Sequence, residues 1–124
     1  MSTTKLITIK GQLATLNEHD QANRANKFGG AKLKKEQTEL VAWQVKKHPL
    51  ITKPCTLTFH WYFSGKFDFD NIRFACKYIQ DGMVKAGVLK DDSQKYVLGY
   101  GGDYFIKVAK GSEKVVVEVD EFDV

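Results

Sequence analysis

The sequence predicts an α+β domain, a small mixed β-sheet packed with two helices. Three observations carry this expectation. Runs rich in β-branched and aromatic residues occur near both ends of the chain and in its middle. Two intervening segments carry apolar residues at spacings of three and four, the period of a helix with one buried face. The last three strand-like runs follow one another with no helix between them, which puts antiparallel pairing at the end of the chain.

Taken in order, Leu6-Ile7-Thr8-Ile9 is β-prone and predicts a strand over 5–11. Residues 12–31 scatter Asn17, Asn23, Asn26, Gly29 and Gly30 among charges, which reads as a long irregular loop of the kind that often carries function. A helix is expected over 32–47, with Leu33, Leu40, Val41 and Val45 toward one side and Pro49 ending it. The run from Thr56 to Phe63 is a strand closed by Ser64-Gly65. Asp70 or Asn71 caps a second helix reaching about residue 85, in which Ile72, Ala75, Cys76, Ile79 and Met83 make the buried face and Gly87 stands at C′. Strands are then expected over 96–98, 104–109 and 115–119, the last two joined by a turn containing Gly111. The acidic end, Glu118 to Glu121, reads as a strand end fraying into solvent. The order β-α-β-α-β-β-β fits one domain over 1–124, with no internal repeat.

A chain of 124 residues with 43% hydrophobic content buries a core without disulfides or metal staples. No apolar run approaches the ~20 residues of a membrane span. The first residues lack a signal-peptide core, so a cytoplasmic location and no membrane partner are expected. Cys55 and Cys76 stand in apolar surroundings and read as reduced, buried side chains. The net charge of +4 is unevenly spread: residues 1–66 carry eleven Lys/Arg against four Asp/Glu, and the remainder eight against eleven. Such a split points to a polyanion-facing surface in the first half, a solvated lysine face being the alternative. Arg24, Lys27, Lys32, Lys34 and Lys35 are the candidate phosphate contacts, with Asn17 beside them. Phe28, followed by the small residues Gly29 and Gly30, is a candidate wedge. His19, His48 and His60 are dispersed, and no Ser/His/Asp set, phosphate loop or zinc spacing is present.

Against this basic background stand two acidic clusters, Asp68/Asp70 and Asp91/Asp92, separated by the second predicted helix. Neighbouring carboxylates repel unless a cation holds them, and Mg²⁺ favours oxygen ligands of this type. Asp68, two residues before Asp70 in extended chain, points its carboxylate the same way. If the loop carrying Asp91 and Asp92 folds back, three or four carboxylates converge near the start of that helix. Such a cage polarises a phosphodiester and lowers the pKa of an attacking water. A cap at Asp70 and an ordinary turn at Asp91-Asp92-Ser93 explain the same residues without metal. A calcium loop is excluded, because Arg73 stands where the required glycine would be.

The combination Asp68-Phe69-Asp70-Asn71-Ile72, then Lys77 and Asp81-Gly82-Met83, then Ala86-Gly87-Val88-Leu89-Lys90-Asp91-Asp92 resembles the RusA-type Holliday junction resolvases. Their pattern is Asp-x-Asp-Asn-Leu, a helical Lys, Asp-Ala-Leu, Ala-Gly and a late Asp-Asp. Leu16-Asn17-Glu18 is similar to the Asn-containing loop after the family's first strand. The resemblance implies a RusA-like homodimer and a Mg²⁺-dependent endodeoxyribonuclease, with Mn²⁺ a substitute ion. Its implied partner is branched DNA, four-way junctions resolved by paired nicks in recombination and repair, in a bacterial or phage-infected cytoplasm. It assigns catalytic roles to Asp68, Asp70, Asp91, Asp92 and Lys77, and metal ligation to Asp68, Asp70 and Asp92. One departure stands out: the family Lys falls four residues after the second Asp, where this chain has Phe74. Lys77 keeps the family spacing to Asp81, as about three extra helical residues would allow, and Arg73 is the other candidate for the role, as well as for DNA contact. The alternative functions are a non-catalytic nucleic-acid-binding protein using the same basic surface and a phosphatase acting on small phosphate esters.

Overall fold

The computed structural model describes residues 3–91 and 93–123. The elements run β1 (Thr3–Lys10), α1 (Leu16–Ala25), α2 (Gly29–Val45), β2 (Cys55–Phe63), α3 (Phe69–Arg73), α4 (Cys76–Lys85), β3 (Val97–Lys107) and β4 (Lys114–Glu121). The α+β class and the mixed sheet agree with expectation. The sheet has four strands in the order β1-β4-β2-β3. β4 is antiparallel to both β1 and β2, whereas β2 and β3 are parallel. A parallel pair needs a crossover, and α3 with α4 supplies it.

One face of this sheet is covered. Ile7, Ile9, Leu57, Phe59, Trp61, Val115, Val117 and Val119 point to the helices and meet Val41, Val45, Ile72, Tyr78, Ile79 and Met83 in a single core. Alternate residues, including Thr8, His60, Tyr104 and Val116, fall on the other face, as a strand's period of two requires. His60 is satisfied there by Glu118 at 3.2 Å and stacks on Tyr104 at a centroid distance of 5.2 Å. Cys55 is buried and Cys76 half-buried, and both are free thiols. Gly87 ends α4 at C′ with φ +77°, in the left-handed region that favours glycine.

Several expectations are corrected. The expected loop over 12–31 contains all of α1, which starts in a capping box. The Thr15 hydroxyl accepts from the Glu18 N–H while the Glu18 carboxylate accepts from the Thr15 N–H. Leu16-Asn17-Glu18 is therefore a helical first turn. Asn23 and Asn26 accept the N–H groups of Gly30 and Phe28, building the corner between α1 and α2. The helix expected from Asp70 to residue 85 is broken at Phe74–Ala75 into α3 and α4, so the described residues form four helical segments where two were expected.

The strands over 96–98 and 104–109 are one strand, β3, continuous through Gly99, Gly101 and Gly102. β3 and β4 do not form a hairpin; their connection crosses the end of β2, where the Val108 N–H donates to the Phe63 carbonyl. The acidic end does not fray. β4 lies inside the sheet, Glu121 is buried, and Lys5 approaches it at 3.4 Å.

Candidate functional site

The site forms where the chain leaves β2. Phe63 ends the strand, Ser64-Gly65 turns, and residues 66–68 lead to Asp68 at the N-cap of α3. Phe69 stacks flat on Phe105 of β3, with centroids 4.0 Å apart, which pins the start of α3 against the sheet edge. Asn71 turns inward and is buried, and its side-chain carbonyl accepts the Asn17 backbone N–H at 2.9 Å. That bond uses one of the unpaired donors in the first turn of α1 and fastens α1 to α3.

Two open clefts meet at this junction. One, of about 550 Å³, is lined by Asn17, Phe63, Gly65, Lys66, Phe67, Asp68, Asn71 and Lys107. The other, of about 510 Å³, is lined by Leu16, Asn17, Asp68, Phe69, Asp70 and Asn71. Asp68 and Asp70 are exposed and share the second cleft, while Lys66 and Lys107 bring positive charge to the first. Lys66 and Lys107 are functional candidates that the sequence did not reveal. Lys107 becomes one only because β3 pairs in parallel with β2, setting it opposite Phe63.

Arg73 is held elsewhere. Its Nε donates to Asp103 Oδ2 at 3.0 Å, and Asp103 Oδ1 accepts from Trp61 Nε1 at 2.8 Å. The hydrogen bond and charge of Asp103 hold the guanidinium pKa above its usual value. Arg73 thus bridges α3 to β3 through a carboxylate from a distant strand, with 44% of its side chain still exposed. Phe74, at the family's Lys position, is apolar in its contacts and packs on His19 and Tyr78. Lys77 lies 3.2 Å from Asp81, one turn further along α4, and Lys34 reaches the same carboxylate from α2 at 3.6 Å. Asp81 therefore draws Lys77 along the helix, away from the start of α3.

Asp91 is at the other end of the sheet. Val88 accepts from the Ile51 N–H and Tyr96 from the Cys55 N–H, which ties the segment around Asp91 to the beginning of β2. Asp68 follows the end of β2. Nine strand residues separate these ends by roughly 26 Å. One chain does not bring Asp91 to Asp68 and Asp70, and Asp92 lies outside the described residues. Among the described residues, no three His, Cys, Asp or Glu side chains converge as a metal cage. Two carboxylates nevertheless suit Mg²⁺, which keeps several waters and takes one or two carboxylates plus substrate phosphate. Asp68 and Asp70 fit that donor set.

The expected phosphate contacts lie at the corner of α1 and α2. Arg24, Lys27, Lys32 and Lys35 are exposed. Phe28, at the N-cap of α2, is 68% exposed with Lys27 Nζ 5.5 Å from its ring centroid. Lys34 turns instead toward Asp81. Asn17 is the one expected DNA contact that lines the carboxylate clefts.

No protein-family model and no curated protein matches this chain. Among the described residues, no helix is long and apolar enough to cross a membrane.

Proposed function

We propose that this protein is a Mg²⁺-dependent endodeoxyribonuclease that cuts four-way DNA junctions as a homodimer. The observation that carries the reading is the Asp68/Asp70 pair in one cleft at the Asn17–Asn71 junction, with Asp68 also lining the adjoining cleft that carries Lys66 and Lys107. Asp68 and Asp70 would hold Mg²⁺, or Mn²⁺ in its place, and the ion supplies Lewis-acid polarisation of a phosphodiester. Lys66 and Lys107 bind the flanking phosphates, and the Asn71 bond keeps both carboxylates facing the cleft. The exposed cations around Arg24 and Lys32 hold more distant phosphates and position the DNA without reading its bases.

A homodimer completes this arrangement. β3 is an edge strand of eleven residues, and antiparallel pairing of two such edges reverses one strand against the other. In a register that pairs the two edges end to end, Lys107 of one copy would lie beside Val97 of the second, and Asp91, six residues before Val97, would come toward the cleft that holds Asp68. Two symmetric sites in one dimer match the two nicks that a junction requires.

The reading is tested with a synthetic four-way junction. Wild-type protein in Mg²⁺ yields paired nicks and spares linear duplex of the same sequence, and chelation of the metal stops the reaction. Binding with steep salt dependence but no cleavage in Mg²⁺ or Mn²⁺ would identify a non-catalytic nucleic-acid-binding protein instead.

A further inference from the structure

Trp43 is 69% exposed, although it stands two residues before the end of a helix whose Val41 and Val45 are fully buried. Burial would stabilise such a ring by about 2 kcal/mol, so an indole left in water is a feature to be explained. Its surroundings are strongly basic. Trp43 lines a shallow groove of about 500 Å³ with Thr8, Lys10, Gln44, Lys46 and Lys47, three lysines and no carboxylate. Lys46 Nζ lies 3.3 Å from the indole centroid, on the electron-rich face.

The backbone under the groove is tied across two elements. The Gln44 side chain accepts from the Lys10 N–H at 2.8 Å and donates to the Lys10 carbonyl at 3.1 Å, which clamps the end of β1 to the end of α2. An exposed flat aromatic surface with Lys46 against its ring and two more lysines lining the same groove matches a nucleotide whose base is unstacked, with the base on the indole and its phosphates on the lysines. Duplex DNA offers no such base face. An acidic protein partner would leave the ring's stacking geometry without use.

We infer that Trp43, Lys10, Lys46 and Lys47 form a binding site for single-stranded nucleic acid, with an unpaired base stacked on Trp43. Its position extends the surface already described. β1 and β2 run in the same direction, both antiparallel to β4, so Lys10 lies at the same end of the sheet as Phe63 and the Asp68 cleft. Two strand spacings, about 10 Å, separate β1 from β2, and Lys114 of β4 stands between them. A strand leaving the cleft reaches Trp43 across that end. The site's chemistry does not depend on hydrolysis at Asp70, so it stands whether or not the protein cleaves DNA.

The protein's two tryptophans differ sharply in exposure, Trp61 being 2% exposed, so quenching of accessible emission reports Trp43. Titration with oligothymidylate quenches that emission to saturation, and duplex of equal length leaves it unchanged. Trp43→Ala weakens oligothymidylate binding roughly tenfold without changing the salt slope, and Trp43→Phe recovers most of the affinity. The Lys46→Gln, Lys47→Gln double variant lowers the salt slope by about one to two. Any of three results overturns the inference: no quenching, wild-type affinity in folded Trp43→Ala, or quenching that follows protein concentration rather than DNA. The last would mean that a second copy covers the ring. A failure of junction cleavage leaves these binding readouts intact, so the two proposals fail separately.

Discussion

Asn71 and Asn17, 54 residues apart in sequence, are joined by a 2.9 Å hydrogen bond from the Asn17 backbone N–H to the Asn71 side-chain carbonyl. The bond fastens the starts of two helices that face one cleft, and Asp68 and Asp70 stand just before Asn71, at the N-cap and in the first turn of α3. Asn71→Ala leaves that N–H without its acceptor and costs about 1–2 kcal/mol in urea unfolding. It also lowers cleavage more than junction binding, because the carboxylates lose their anchor while the basic corner of α1 and α2 is untouched. Asn71→Asp, which keeps the acceptor and adds charge near a helix N-terminus, recovers more than half of the lost stability.

The Tyr78 ring is fully packed in the core, yet among the described residues its hydroxyl has no hydrogen-bond partner. Burial, with the nearby Glu18 charge, raises the phenol pKa. Tyr78→Phe removes an unsatisfied polar atom without changing the ring, so the midpoint of urea unfolding rises by the equivalent of about 1 kcal/mol. An equal loss would show that the hydroxyl is satisfied in solution.

Burial pushes the Cys55 thiol from 9.0 up to about 11, with Glu121 and Asp120 adding to the shift. The folded protein therefore holds this proton after the unfolded chain has released it. The resulting stability is complete below pH 9 and is lost as pH rises between 9 and about 11. Cys55→Val flattens the stability profile across that window. In the native protein at pH 8, Cys55 resists a thiol reagent that labels it at once in urea.

Most of the core was legible in the sequence. The three-four spacing of Ile72, Ala75, Ile79 and Met83 marked a buried face, the run 115–119 marked a strand, and the side chains of Ile72, Ala75, Ile79, Met83, Val115, Val117 and Val119 meet in one cluster. What failed was mostly long-range. The turn at Gly111 looks locally like a hairpin, and nothing in residues 108–113 says that they pass over β2. A sheet covered on one face lets Glu118 and Asp120 stand on an inner strand, so their charge misled the reading of β4 as a fraying end. α1 has no buried residue and hence no apolar stripe to read, although Thr15-Leu16-Asn17-Glu18 carries a capping box in plain view. Three glycines split β3 in the reading. At the site, Asp68 and Asp70 were visible from their spacing. The hold of Asp103 on Arg73 was not, because its three members come from β2, α3 and β3.

If Asp91 of one copy serves Asp68 and Asp70 of the other, two inactive variants complement each other. Asp70→Asn mixed with Asp91→Asn, unfolded and refolded together, forms mixed dimers in which one of the two sites is intact. About one quarter of wild-type nicking returns, as single nicks. No recovery would place each site within a single chain.

Junction cleavage by Asp70→Asn, with junction binding measured on the same preparation, tests the central claim most directly. The substitution keeps the size of the side chain and removes the charge that holds the metal. Loss of nicking by at least about a hundredfold in Mg²⁺, with binding unchanged or tighter, is the predicted result. Wild-type cleavage by folded Asp70→Asn would contradict it.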